Sequence, residues 1–241
     1  MKKSTLLFLL SIGLSSLVQA QFKNLPKDIL GGKITKNNSS KTSLTNDEII
    51  SGLKEALNVG ARNSTNKLSV IDGFFGDAAV KILMPAEAQK AEKTLRSLGM
   101  GRQVDQAVLS MNRAAEEAAK DAVPIFLSAI KGITIQDGVG ILRGGDFAAT
   151  DYLKGRTTAS LTEAFRPIIE TALKKVDATK HWNAIFSHYN KVSTNKVNPD
   201  LTAYVTEKAL AGIFYQVGQE EQKIRKDPAA RVSDVLKKVF N

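Results

Sequence analysis

Cysteine is absent from all 241 residues. That excludes disulfides, thiol nucleophiles and cysteine-ligated metals, and leaves packing alone to hold the fold. Histidine is nearly absent too, with His181 and His188 the only two. Seven residues apart on one helix, they lie about 10.5 Å from each other along the axis, and zinc-binding helices use i, i+4 spacing instead. No Gly-x-Ser-x-Gly elbow presents a serine for a Ser–His–acid triad, no Glu-x-x-His pair suits a di-metal bundle, and no glycine-rich loop ends in Gly-Lys-Ser/Thr. The chemistry that remains names no catalytic residue, no metal site and no cofactor. Aromatic residues are only 6% and basic residues form no dense run, which argues against nucleic-acid binding. Strand signals are also missing: there is no long alternation and no Asn-Gly hairpin.

What is present begins with "MKKSTLLFLLSIGLSSLVQA", residues 1–20. Lys2 and Lys3 precede an apolar run from Leu6 to Leu17, and Val18-Gln19-Ala20 fits a small-residue cleavage site. The run is shorter than the roughly 20 residues of a membrane span, and no later segment is long and apolar enough to act as a transmembrane anchor. The expectation is a cleaved secretory signal, a mature chain starting at Gln21, and a periplasmic or secreted location. With no cysteine after the cleavage site, a lipoprotein anchor is excluded. Losing Lys2 and Lys3 would lower the net charge from +10 to +8. Such a basic exported chain can be drawn to anionic lipid or lipopolysaccharide, although its lysines are scattered and the tightest clusters are Lys174-Lys175 and Lys237-Lys238.

Residues 21–43 are polar, rich in Gly, Ser and Asn, and weakly periodic; they read as a flexible N-terminal arm. Order is expected over 44–241, where 3.6-residue periodicity dominates. Thr45 and Glu48 form a capping box before Ile49, Leu53, Ala56, Leu57 and Gly60. "SVIDGFFGDAAVKILMP" reads as a loop that inserts Phe74 and Phe75 into the core, with Pro85 opening the next helix and Gly99 closing it in a left-handed turn. The clearest helix carries Val104, Val108, Met111, Ala115, Ala118 and Ala122 down one face, and Pro124 kinks or restarts it. Further helix starts are expected after Thr134, Asp146, Thr157 or Thr158, and Asp177, with a bend at Pro167. Pro199 should open a long helix faced by Leu201, Val205, Ala209, Ile213, Val217, Glu220 and Ile224, and Asp227-Pro228 the last one. The fold class is therefore all-α: a single irregular multi-helix bundle of about eight to ten helices, with no significant β-sheet and no solenoid repeat.

Four stretches, "DGFFGDAAVKILMP", "LSMNRAAEEAA", "AIKGITIQDGVGILRGGDFAATDYL" and "EEQKIRKDPAARVSDVLKKVF", together resemble the bacterial family known as domain of unknown function 4197. The resemblance runs from about Leu44 to Asn241. It implies an exported, helical, envelope-associated protein and carries no activity or catalytic residue with it.

The polar residues that break the apolar pattern are the candidate sites. Asn112, Arg113 and Glu116 lie beside the alanine seam, either as a buried network that sets helix register or as a pocket lining. Glu116-Glu117 and Glu220-Glu221 are adjacent doublets whose side chains diverge by about 100° on a helix, so neither makes an acid–base dyad alone. Glu220, on the apolar seam, is expected to be the buried acid paired with an arginine. "RGGD" at 143–146 lacks the spacing of a P-loop or dinucleotide loop; Gly144 and Gly145 read as a left-handed helix end and Asp146 as the next cap, with an anion site assisted by Arg143 as the alternative. The functional expectation is a non-enzymatic ligand- or partner-binding protein, its partner an envelope protein, a lipid or another anionic surface. The alternatives are an enzyme with an unfamiliar site in a cleft where Glu220, Arg113 or Arg143 meet, or a peripheral binder of anionic lipid or lipopolysaccharide.

Overall fold

Amphipathic periodicity becomes a bundle of nine α-helices among the residues described by this computed structural model, namely 44–134, 138–194, 196 and 199–241. The expected signal segment and arm, 1–43, and the stretch after Thr134 up to residue 137 lie outside the described residues. Helix α1 (Asn46–Leu68) starts at the Thr45–Glu48 capping box, in which the Glu48 N–H donates to the Thr45 hydroxyl (3.2 Å) and the Thr45 N–H donates back to the Glu48 carboxylate (2.9 Å). A single 3₁₀ turn (Ala86–Ala88) leads into α2 (Gln89–Ser97). Pro85 stands just before that turn with extended backbone, not inside the helix as expected. Gly99, at φ +82°, ends α2: the Met100 N–H reaches the Leu95 carbonyl and the Gly99 N–H the Arg96 carbonyl.

Helix α3 (Gly101–Ala119) buries Val104, Val108, Met111, Ala115 and Ala118. The chain restarts as α4 (Ala122–Lys131), with Pro124 in the first turn, where its missing N–H costs nothing. Helix α5 (Gly138–Leu142) is short. Residues 148–175 form one helix, α6 (Ala148–Lys175), where two were expected. The Thr157 and Thr158 hydroxyls are not caps; they bond back to the Leu153 and Lys154 carbonyls, both at 2.6 Å, and the helix continues through Pro167. Helix α7 (Ala178–Val192) follows Asp177, whose backbone is left-handed and whose side chain makes no cap bond. Helix α8 (Leu201–Lys226) is capped by Asp200 rather than opened by Pro199, the Ala203 N–H donating to the Asp200 carboxylate at 2.9 Å. After a 3₁₀ turn at Pro228–Ala230, Ser233 caps a separate α9 (Asp234–Val239).

Helix α8 is the axis of the bundle. It packs most extensively on α1 and α6, while α3 packs on α6 and α7 and α9 covers α1. One continuous core holds Phe74, Phe126, Phe165, Val205 and Ile213, and a satellite of Ala56, Ile224 and Leu236 sits under α9. Leu201, Val205, Ala209, Ile213, Val217 and Ile224 are all buried, as the periodicity of α8 requires.

The turn before α6 differs from expectation in an informative way. Neither Gly144 nor Gly145 is left-handed; Gly144 is needed because a Cβ there would lie 2.6 Å from Ala148 Cβ. Asp146 does not cap α6 either, since its carboxylate takes Gln222 Nε2 (2.8 Å) and Lys226 Nζ (2.5 Å). The cap comes from α8. Glu221, 1% exposed, accepts the Ala149 N–H (2.9 Å), the Thr150 N–H (2.7 Å) and the Thr150 hydroxyl (2.7 Å). The anion at the head of α6 is thus the protein's own, which answers the anion-site alternative raised by "RGGD".

Candidate functional site

Three of the five candidate residues meet, on α3. Asn112 is fully buried, and its Oδ1 accepts the Ile82 N–H (2.8 Å) while its Nδ2 donates to the Ile82 and Val108 carbonyls, each at 2.8 Å. Glu116 Oε1 accepts the Phe74 and Phe75 N–H groups at 3.1 and 3.2 Å, and Oε2 accepts Arg113 Nη1 at 2.6 Å. Arg113 Nη2 in turn donates to Asp72 (2.8 Å), a residue with φ +66°. These carboxylates hold the Arg113 guanidinium above its usual pKa, Glu116 contributing most. Two side chains of one helix, Asn112 and Glu116, thereby fasten the backbone of the segment between α1 and α2, residues 69–85, which has no ladder or helix of its own to satisfy it, and Arg113 ties Glu116 to the Asp72 side chain.

The same segment is fixed from α1 and α8. Asp77 takes Lys67 Nζ (3.2 Å) and Gln216 Nε2 (3.1 Å) and accepts the Ala79 N–H (3.0 Å), which lowers its carboxyl below the usual range, the Ala79 bond most of all. The Tyr204 hydroxyl donates to the Leu83 carbonyl (2.8 Å), and burial raises its pKa to about 12. Phe74 is fully buried, as expected, whereas Phe75 is only half-buried and lies under Lys81, whose Nζ is 3.7 Å from the ring centroid.

Held this way, the segment leaves apolar side chains in solvent: Val70 is 57% exposed, Ile71 79% and Leu83 60%. It also borders three clefts. One, of about 470 Å³, lies between Phe75, Lys81, Leu83 and Met84 and the α2 residues Lys93 and Arg96. A second, of about 420 Å³, continues past Leu83 to Tyr204 and Lys208 of α8. The third, of about 380 Å³, lies between Ile71 and Arg113, Glu116, Glu117, Lys120 and His181.

Arg143 and Glu220 do not join the group. Arg143 is exposed after α5, lines none of these clefts and has no side-chain partner among the described residues. Glu220 is half-buried and bonds Asn63 Nδ2 (2.7 Å) and Lys223; its pKa stays low because those bonds outweigh partial burial, which alone would raise it. The expectation of a buried acid paired with an arginine fits its neighbour. Glu221 accepts from Arg225 at 2.7 Å, and Arg225 also donates to the Leu142 and Ile141 carbonyls at the end of α5. Among the described residues, no three His, Asp or Glu side chains gather as a metal site requires, and no helix is long and apolar enough to cross a membrane.

The fold and site define an all-α multi-helix bundle in which a long non-helical segment is pinned to one helix by buried polar side chains. The chain belongs to the family described as protein of unknown function (DUF4197), whose model matches residues 43–241. We found no match to the chain among curated proteins or among solved structures.

Proposed function

We propose that this chain is an exported, non-enzymatic binding protein of the bacterial envelope, and that the 69–85 segment with its flanking clefts is the binding surface. One observation carries this: the polar side chains that α3 brings to the site, Asn112, Arg113 and Glu116, are already engaged with backbone and with neighbouring side chains, while Val70, Ile71 and Leu83 face solvent. A general acid or base needs a free functional atom aimed at substrate. The Asn112 and Glu116 side chains have theirs bound to residues 74, 75 and 82. A backbone fastened by buried side chains that presents branched aliphatic groups suits recognition, because less conformational entropy is lost when a ligand or partner docks.

Export rests on residues 1–20, and N-terminal sequencing of protein from fractionated cells tests it: Gln21 is expected as the first residue, and intact Lys2 on the fractionated protein would overturn it. Native mass spectrometry of protein purified from its own envelope tests the binding role. A bound mass is expected on the wild type and should be lost when the exposed apolar surface is made polar, for instance in an Ile71→Ser, Leu83→Ser variant. No bound mass, or one that this variant keeps, refutes the assignment.

A further inference from the structure

Two of the clefts share Lys81, Leu83, Met84 and Gln89, so they form one groove running across residues 81–84. Its floor is apolar, with Phe75, Leu83, Met84 and Val108, and Leu83 stands 60% exposed between the two halves. The polar rim is unbalanced. In the larger half the acids are Glu92 and Asp105, and both are bound by one residue, Arg96, at 2.9 and 2.8 Å. Lys81 and Lys93 remain, with no acidic partner among the described residues. Lys81 rests on the Phe75 ring, which stabilises the ammonium on one side and leaves N–H groups for an acceptor on the other. Counting Lys81, Lys93 and Arg96 against Glu92 and Asp105, this half of the groove carries one net positive charge over an apolar floor.

We propose that this groove binds a monoanionic amphiphile: a carboxylate head between Lys81 and Lys93 and an acyl body laid over Leu83 and Met84. The proposal deepens the binding role assigned above and rests on it. Charge complementarity selects the head, since one excess cation matches one negative charge and the Arg96 pair screens the two acids that would repel it. The exposed Leu83 selects the body, because covering it removes apolar surface from water. The combined volume, about 470 and 420 Å³ in the two halves, lies in the range of small-molecule sites.

Dodecanoate is the probe, titrated as monomer into the full mature chain by calorimetry, with dodecanol, dodecyltrimethylammonium and inorganic phosphate as comparators. Saturable binding of one dodecanoate is expected, with the neutral and cationic chains weaker and phosphate alone weaker still. A Lys81→Gln, Lys93→Gln variant should lose about tenfold in affinity for dodecanoate, in line with loss of charge-assisted hydrogen bonds, while its affinity for dodecanol should not change. Leu83→Ser should weaken dodecanoate and dodecanol alike. Leu83 and Lys93 are exposed and Lys81 is half-buried over Phe75, and an unchanged melting curve confirms that each variant is folded. Absence of saturable dodecanoate binding, equal binding of the cationic chain, phosphate binding as well as dodecanoate, or an unaffected lysine variant each overturns the proposal. So does cosedimentation with anionic phospholipid vesicles without monomer binding, which would indicate a surface and not a groove. If the wild type carries a mass from its envelope that the lysine variant keeps, the binding role stands and this ligand class falls. If it carries none and dodecanoate does not bind, both fall.

Discussion

Truncating Glu221 to alanine removes one carboxylate and leaves four donors behind it: two backbone N–H groups and a hydroxyl at the head of α6, and the Arg225 guanidinium. Glu221 is 1% exposed and the Arg225 side chain 10%, so water does not replace the lost acceptor easily. Breaking a buried ion pair by removing one partner costs about 3–5 kcal/mol, and each buried donor left unsatisfied costs about 1–3 kcal/mol. These costs overlap, and Arg225 keeps the Ile141 and Leu142 carbonyls, so the expected total is about 3–5 kcal/mol. With a urea slope of about 2 kcal/mol/M, the unfolding midpoint should fall by roughly 2 M. Glu220, one residue away, holds only Asn63 and the exposed Lys223, and its truncation should cost about 1 kcal/mol or less. Glu221→Gln keeps the shape but turns a donor amide toward N–H groups, and should lie between the two. Urea titration of the three variants decides the matter. If Glu220→Ala costs as much as Glu221→Ala, or if Glu221→Gln is neutral, then an anionic cap does not hold α6 to α8.

Gly212 of α8 lets Phe74 of the 69–85 segment pack close, since a Cβ there would lie 2.6 Å from the ring. Gly212→Ala should therefore destabilise despite its better helix propensity, whereas Gly155→Ala, in open space on α6, should stabilise by about 0.5–1 kcal/mol; a gain in both melting temperatures would refute the contact. Glu48 is lowered from 4.5 to about 2, by its bond to Lys238 first and by Thr45 next, and Asp77, Glu117 and Asp200 also titrate below their ordinary values. Groups lowered in the folded state contribute fully above their unfolded pKa and lose that contribution as the pH falls toward the folded one, so melting temperature should drop from about pH 5 to pH 2, and a flat or rising profile would contradict the assigned bonds. EDTA should leave the melting temperature unchanged, and a drop restored by one divalent metal would reveal a site not formed by the described residues.

The long helices were legible because their information is local. The α3 seam and the α8 face repeat every three or four residues, and Thr45–Glu48 and Gly99 act through bonds within a few positions. Helix starts failed where a residue type has two uses. Threonine favours caps, but Thr157 and Thr158 turn their hydroxyls back on α6; aspartate favours caps, but Asp146 pairs across to α8. Glu220 and Glu221 lie three and four residues after Val217, so both positions suit a helical face, and only the position of α6 decides which one is buried. Asn112, Arg113 and Glu116 could be identified because they interrupt an alanine seam. Their partners could not, because backbone groups at residues 74, 75 and 82, more than two dozen positions upstream, carry no mark in the sequence.

The molecule solves one problem twice with the same device. Where backbone N–H groups without a helical or ladder partner face another helix, that helix supplies a buried glutamate to accept two consecutive amides, and an arginine on the same helix supports it: Glu116 with Arg113 for residues 74 and 75, Glu221 with Arg225 for residues 149 and 150. An ion pair in the interior is a costly way to gain stability, since apolar residues of equal volume would often serve as well. It does what apolar contact cannot: two directed bonds to specified amides fix position and angle together. At α6 that sets the register of two long helices. At the 69–85 segment it holds in place the backbone of a stretch on which Val70, Ile71 and Leu83 stand exposed. Loosening that hold through Glu116→Gln should therefore alter the exposure of these residues more than it alters the bundle, which hydrogen exchange over residues 69–85 against α8 would separate.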